Sequence, residues 1–274
     1  MSELFPPFEP GDEPKTRRFK PVPLRLLLPN FITLLSMCSG LTGMRLAIEG
    51  RLDLAVIAIL VAAVLDGLDG RIARMMKGTS RFGAELDSLS DFVSFGVAPA
   101  VVMYVFALKE LHGLGWIICL LFASASALRL ARFNVMIDDP NRPLWQKDFF
   151  VGMPAPAGAL CVLLPVYLSL IEIPLPVGTV VLQAAYILFV AFMMVSRIPT
   201  YAGKTIGTRV PRALVVPLFI VVVGMVALLA AMPFEVLTVL VLVYVCCIPW
   251  MVRRYRHLER LDRAGGVFKP DLPG

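Results

Sequence analysis

Charged residues, histidines and cysteines are scarce in this 274-residue sequence, and their scarcity excludes several classes of protein. Only 17% of the residues are charged, and there are two histidines and five cysteines. The cysteines form no C-x-x-C pair and have no histidine nearby, so a zinc finger is excluded and disulfide bonds are not expected. RNA-recognition and helix-turn-helix patterns are also absent, and we therefore expect no nucleic-acid partner.

Apolar residues are abundant instead, at 58% of the chain, which is well above the usual share for a soluble domain. Each long apolar stretch is sufficient to cross a hydrocarbon core of about 30 Å. The composition predicts an all-α, polytopic integral membrane protein with eight spanning helices. The predicted spans are 29–48, 52–77, 84–108, 114–135, 153–171, 177–198, 212–231 and 234–252.

The distribution of positive charge predicts the orientation of these spans. The two termini, the connections after spans two, four and six, and the span ends that border these connections contain 23 of the 26 Lys and Arg residues. The positive-inside rule places that side in the cytoplasm, which predicts a multi-pass protein of the plasma (inner) membrane. The net charge of +6 is then explained by topology and by contact with anionic headgroups.

Three regions are predicted along the chain. Residues 1–28 form a polar, Pro-rich cytoplasmic segment that ends in a short interfacial helix, and they lack the features of a cleavable signal peptide. Residues 29–252 form the transmembrane domain, and residues 253–274 form a basic cytoplasmic tail. We find no internal repeat and expect no second soluble domain.

Four aspartates lie at helical spacing where the second and third spans meet. Residues at i, i+3, i+4, i+7 and i+8 share one helix face, as do residues at i, i+4 and i+8. A turn at 78–80 allows the two helices to run antiparallel and to direct the carboxylates into one volume. The first set is Asp66, Asp69, Gly70, Ala73 and Arg74, and the second is Gly83, Asp87 and Asp91.

Clustered carboxylates repel one another unless cations neutralise them. One or two hard divalent metal ions would do so, because such ions prefer carboxylate oxygens. Asp66 lies 14 residues after Leu52, or about 21 Å along the helix, so the cluster is predicted in the cytoplasmic third of the membrane. A solvated helix end would explain Arg71 and Lys77, but it would not explain two aspartates at this depth.

The residues beside the aspartates indicate a phosphorylated substrate. Gly70 and Ala73 remove bulk from the same helix face, and Arg74 offers a planar fork to phosphate oxygens. Carboxylate-bound metals clamp phosphoryl groups and stabilise the charge that develops on them. We therefore expect an amphiphile with a diphosphate at headgroup level and acyl chains in the bilayer.

The complete motif D-x2-D-G-x2-A-R-x8-G-x3-D-x3-D resembles that of the CDP-alcohol phosphotransferases. The resemblance implies that an alcohol attacks the lipid-bearing phosphorus of a CDP-linked lipid and releases CMP. It implies that Asp66, Asp69, Asp87 and Asp91 hold two divalent ions, Mg2+ or Mn2+, and that Asp91 is also the general base. It further implies a homodimer. The positions that it places near the CDP-lipid are Asn30, Thr33, Gly70, Ala73, Arg74 and Gly83.

Three further segments resemble the phosphatidylserine synthase branch of that family. They are residues 91–100, 131–134 and 149–157, with 196–200 as a weaker addition. This resemblance implies that CDP-diacylglycerol and L-serine are the substrates, that phosphatidylserine and CMP are the products, and that membrane lipids surround the enzyme. Glycerol 3-phosphate, choline and inositol phosphate remain open as alternative acceptors.

Serine carries a carboxylate, so its site needs a cationic partner as well as a base near the hydroxyl. Arg129 and Arg132, at i and i+3 near the end of span four, are the candidates, and Asn134 is a possible helper. The alternative is that both arginines only set the topology.

An ion transporter is the competing functional class, because intramembrane carboxylates also carry metals or protons. A transporter that works by alternating access often contains inverted repeats and needs polar groups on both sides of the midplane. The outer halves of these spans are nearly uncharged, so the sequence favours the phosphotransferase.

Overall fold

Helices occupy all eight of the predicted segments. The computed structural model describes residues 27–75, 81–137, 149–173, 179–196, 198–201 and 212–263. Most of the N-terminal segment, the predicted turn at 78–80 and residues 264–274 lie outside the described residues. The helices are α1 (Leu27–Ile48), α2 (Leu52–Met75), α3 (Arg81–Asp91), α4 (Ala98–Phe106), α5 (Gly113–Ile137), α6 (Ala155–Val162), α7 (Leu164–Leu170), α8 (Thr179–Val195), α9 (Arg212–Ala231) and α10 (Pro233–Arg263).

Within the described residues, four helical stretches are long and apolar enough to cross a membrane, as judged by length and composition. They are Leu28–Ile48, Phe82–Phe106, Gly113–Met136 and Pro233–Tyr255. Thr179–Val195 and Val215–Ala231 are shorter apolar helices. A membrane protein of the all-α class is thereby confirmed, whereas the count of eight spans stays a prediction.

α1 packs against the three elements that surround the aspartates, namely α2, α3 and the segment that follows α3. Its buried face consists of small and hydroxyl residues at intervals of three and four, which lets the neighbouring backbones approach closely. Ser36 Oγ donates a hydrogen bond to the Ala62 carbonyl oxygen at 2.9 Å, and Ser39 Oγ donates to that of Ala58 at 2.7 Å. These contacts fix the register of α1 against α2.

The third predicted span is one helical rod with a change of winding inside it. α3 ends at Asp91, a π-helical stretch runs over Phe92–Val97, and α4 continues to Phe106. Short π-helical insertions often occur at functional sites, and this one begins directly after the last aspartate. Ser94 in the π-helical stretch donates to the Ser36 carbonyl oxygen at 3.3 Å, so the rod is also joined to α1.

We expect Gly40→Ala to destabilise the protein, because a Cβ at Gly40 would lie 2.8 Å from the Ser94 Cα. Overpacking of this kind costs about 1–3 kcal/mol. Thermal unfolding in detergent measures the loss. Gly224→Ala on α9 is the matched control, since the added Cβ would meet no neighbouring atom within 4 Å in the described part of the chain. Equal unfolding midpoints for the two variants would contradict the close approach of α1 to the π-helical stretch.

A short antiparallel strand pair, which the sequence did not predict, joins the connection before α6 to the connection after α8. β1 (Phe149–Val151) pairs with β2 (Pro199–Tyr201), with Phe150 opposite Thr200. Gly152 follows β1 with a φ of 79°, and a Cβ there would lie 2.5 Å from the Met194 carbonyl oxygen. Glycine suits this position for two reasons. It adopts a positive φ at little cost, and it has no Cβ to collide with the Met194 carbonyl oxygen.

α10 is longer than the predicted span, which ended at residue 252. It continues to Arg263, and the guanidinium carbon of Arg254 lies 5.5 Å from the centroid of the Trp250 ring. Residues 253–263 contain good helix formers and neither Gly nor Pro, so the helix continues past the apolar stretch.

All five cysteines lie within the described ranges, and all are free thiols. Cys119 and Cys161 are buried, whereas Cys38 and Cys246 are exposed on the outer face of the helices.

Candidate active site

The four aspartates come from two helices, α2 and α3. Asp66 and Asp69 lie on the last three turns of α2, and Asp87 and Asp91 lie on the last two turns of α3. Carboxylate oxygens of Asp66, Asp69 and Asp87 all lie within 4.8 Å of one another. The motif predicted that all four carboxylates share one volume, and the structure brings these three side chains together.

This donor set fits a divalent metal ion. All three groups are carboxylates, which Mg2+ and Mn2+ prefer, and no softer ligand takes part. Asp69 is 3% exposed, and its Oδ1 atom is buried with no hydrogen-bond partner among the described residues. A buried anionic oxygen without a partner is costly, so it indicates that a cation belongs beside it. Asp66, Asp69 and Asp87 could hold such an ion.

Asp91 lies against the carboxyl group of Asp66, and its Oδ1 atom is also buried with no partner within the described part of the chain. Arg129 on α5 interacts electrostatically with both carboxyl groups. Its side chain is 7% exposed, and its guanidinium carbon lies 5.3 Å from the centroid of the Phe133 ring. Arg129 thus supplies a buried positive charge beside Asp91.

Asn30 and Thr33 lie on α1, where Asn30 is half-buried and Thr33 is buried. Thr33 Oγ1 lies 2.6 Å from Asp69 Oδ2, so α1 contacts the aspartate cluster directly. Contact of Asn30 and Thr33 with a nucleotide stays a prediction.

The small residues of the motif leave space beside the cluster. A Cβ added at Gly70 would meet no neighbouring atom of the described residues within 4 Å, so that face of α2 is open in this part of the structure. Ala73 and Gly83 are half-buried, and Arg74 is exposed with its Nε donating to the Gly70 carbonyl oxygen at 2.8 Å. The remaining donors of the guanidinium group can still reach a phosphate.

The two arginines proposed for serine occupy different surroundings. Arg132 Nη1 donates to the Val195 carbonyl oxygen at 2.6 Å and so caps the end of α8. Asn134 Nδ2 donates to Ser88 Oγ at 2.9 Å and joins α5 to α3. Arg129, in contrast, interacts electrostatically with the carboxyl groups of Asp66 and Asp91.

Ser90 and Ser36 were not singled out from the sequence, yet both support the site. Ser90 Oγ, between Asp87 and Asp91 on α3, donates to the Thr33 carbonyl oxygen at 3.0 Å. The signal that could have identified this contact is the stripe of small residues on α1. The stripe consists of Thr33, Ser36, Gly40, Gly43 and Ala47, all of which are buried.

Comparison with known proteins agrees with this geometry. The profile of the CDP-alcohol phosphatidyltransferase family matches residues 26–195. A CDP-diacylglycerol–serine O-phosphatidyltransferase of Mycobacterium leprae is 39% identical over 237 residues, which cover 85% of this chain and 76% of that protein. One from Helicobacter pylori is 33% identical over 80% of this chain and 87% of its own length. An archaetidylserine synthase of Methanothermobacter thermautotrophicus is 35% identical over 50% of this chain and 56% of its own.

The matched region contains α1, α2 and α3 and therefore all four aspartates. It covers more than half of the chain, and the bacterial relatives align over most of their own length. The chain with this aspartate cluster therefore belongs to the CDP-alcohol phosphatidyltransferase family.

Proposed function

We propose that this protein transfers the phosphatidyl group of CDP-diacylglycerol to the hydroxyl of L-serine, giving phosphatidylserine and CMP. The observation that carries the proposal is the convergence of Asp66, Asp69 and Asp87 beside Asp91 and Arg129. The names of the relatives, which cover most of this chain, support serine as the acceptor.

Asp66, Asp69 and Asp87 are the residues that would hold divalent metal, with Asp91 at the edge of the same cluster. Bound Mg2+ or Mn2+, which we propose as two ions, would neutralise the diphosphate and the charge that develops on it. Two features support a metal ion at this site. The ligands are carboxylates, and the buried Oδ1 of Asp69 has no hydrogen-bond partner among the described residues.

The CDP group is proposed to lie along the open face of α2. Gly70 and Ala73 leave room for it, and Arg74 donates hydrogen bonds to phosphate oxygens from the exposed side. Asn30 and Gly83 border the same space. The acyl chains would then extend among the apolar helices.

Asp91 is proposed as the general base. Its buried Oδ1 has no partner among the described residues, so a lone pair is available for the proton of the serine hydroxyl. As that proton moves to Asp91, the serine oxygen bonds to the lipid-bearing phosphorus. The bond from this phosphorus to the bridging oxygen breaks, and CMP leaves with the electron pair.

Arg129 is the residue we propose for the carboxylate of serine. Its position beside Asp91 puts a cation close to the base that would meet the serine hydroxyl. Arg132 and Asn134 contribute by holding α8 and α3 against α5, through the contacts to Val195 and Ser88. A guanidinium group binds a carboxylate through two parallel hydrogen bonds, which suits this role.

We expect Arg129→Ala to lower kcat/KM for serine by about ten- to a few hundred-fold, which corresponds to the loss of a charge-assisted hydrogen bond of about 1.5–3 kcal/mol. The KM for CDP-diacylglycerol should change little. Ethanolamine lacks the carboxylate, so the variant should also narrow the preference for serine over ethanolamine.

Arg45→Gln is the control for this prediction, because Arg45 is an exposed arginine that pairs with Glu49 far from the cluster. If Arg129→Ala and Arg45→Gln have the same kinetics with serine, Arg129 does not bind the serine carboxylate and only sets the membrane topology.

We further propose that the protein lies in the plasma membrane as a homodimer, with residues 29–252 as the catalytic domain and the aspartates facing the cytoplasm. The N-terminal segment 1–28 and the tail 253–274 would lie on the same side. Charge asymmetry supports this orientation.

The test of the reaction is CMP release from CDP-diacylglycerol by the purified full-length protein with a panel of acceptors. Serine should be strongly preferred over glycerol 3-phosphate, choline and inositol phosphate. A preference for glycerol 3-phosphate, choline or inositol phosphate would overturn serine as the acceptor, but the protein would still be a phosphotransferase.

A further inference from the structure

The two carboxylate oxygens of Asp69 have different surroundings. Oδ2 lies 2.6 Å from Thr33 Oγ1, whereas Oδ1 is buried with no hydrogen-bond partner among the described residues. Asp69 is on α2 and Thr33 is on α1, so this contact joins two helices. Thr33 therefore bonds to one oxygen of the carboxylate, and the other oxygen has no hydrogen-bond partner among the described residues.

The Thr33 hydroxyl has a single proton and two acceptors within reach. The carbonyl oxygen of Pro29, one turn earlier, is 3.0 Å away, and Asp69 Oδ2 is closer. A hydrogen bond to an ionised carboxylate is about twice as strong as one to a neutral oxygen. The proton therefore belongs to Asp69 when that group is ionised.

Thr33 is itself held in place from α3. Ser90 Oγ donates to the Thr33 carbonyl oxygen at 3.0 Å, and Ser90 lies between Asp87 and Asp91. One turn along α1, Ser36 donates to the Ala62 carbonyl oxygen on α2. Residues 33–36 of α1 are thus joined to both helices that carry the aspartates, so the position of the Thr33 hydroxyl is well defined.

We propose that Thr33 is a positioning residue for Asp69. By donating to Oδ2, its hydroxyl sets the rotation of the carboxylate so that Oδ1 faces the volume shared with Asp66 and Asp87. The inference rests on the proposed function in one respect, namely that these carboxylates hold a metal ion. In this role Thr33 orients the Asp69 side chain and does not contact the nucleotide to do so.

Without the hydroxyl, Oδ2 would lose the hydrogen bond from Thr33, and the carboxylate could rotate away from the carboxylates of Asp66 and Asp87. Groups that orient metal ligands typically affect affinity by 10- to 100-fold when they are removed. Thr33→Val removes the hydroxyl while keeping the shape of the side chain, so the affinity for metal should fall within that range.

Equilibrium binding of Mn2+ to the purified full-length protein in nanodiscs tests this, without CDP-lipid or serine. Electron paramagnetic resonance of free Mn2+ gives the Kd and the bound signal reports the ligand geometry. We expect about a 10- to 100-fold higher Kd for Thr33→Val. Thr33→Ser keeps the donor and should restore the Kd.

Thr42→Val is the matched control, because Thr42 is on the same helix and donates only to the Cys38 carbonyl oxygen one turn earlier, at 2.7 Å. Its Kd should equal that of the unmodified protein. If Thr33→Val does not fold, the comparison of Thr33→Ala with Thr33→Ser carries the test.

Equal Kd values with and without the Thr33 hydroxyl would overturn the inference and leave the proposed reaction intact. A weaker Kd that Thr33→Ser does not restore would also overturn it, because the loss would then come from packing. Failure of the unmodified protein to bind Mn2+ would instead overturn the metal part of the proposed function, and this inference with it.

Discussion

Asp66→Asn and Asp87→Asn are each expected to reduce CMP release to background while the protein stays folded. Each change removes one of three carboxylates whose oxygens lie within 4.8 Å of one another. An amide is neutral, so the remaining carboxylates would hold a divalent cation and a diphosphate poorly. The same logic predicts that a chelator abolishes activity and that Mg2+ or Mn2+ restores it.

Asp53→Asn is the matched control for these substitutions, since Asp53 is an exposed aspartate in the first turn of the same helix, α2. Its CMP release should be normal. Full turnover in excess chelator, or near-normal rates for Asp66→Asn and Asp87→Asn, would show that the metal site lies elsewhere.

Asp91→Asn is expected to lower kcat by about 10²- to 10⁴-fold, which is the usual contribution of a general base. The affinity for CDP-diacylglycerol should fall much less, because an amide can lie near a metal but cannot accept the proton of the hydroxyl. Turnover assays and direct binding of CDP-diacylglycerol measure the two effects separately.

The informative comparison is with Asp87→Asn, which should lose CDP-lipid binding together with rate. If Asp91→Asn loses binding and rate in the same proportion, Asp91 acts chiefly as a metal ligand. A residual rate in Asp91→Asn is compatible with its role as base, because a bound metal ion also lowers the pKa of the hydroxyl.

Periodicity determined a large part of this molecule from the sequence alone. Apolar stretches located the helices, and the spacing of Asp66 and Asp69 placed both carboxylates on one face of α2. The face presented by a helical residue depends only on the 3.6-residue repeat, which local sequence contains. Helix ends were less predictable, as α10 shows by continuing to Arg263.

Tertiary packing decided which partner each side chain meets. Arg129 and Arg132 share a helix face by spacing, yet their partners differ. Arg129 interacts with the carboxyl groups of Asp66 and Asp91, whereas Arg132 donates a hydrogen bond to the Val195 carbonyl oxygen. The contact between Thr33 and Asp69 joins residues 36 positions apart. Such pairings depend on the register and close approach of separate helices, and no periodicity within a single helix specifies them.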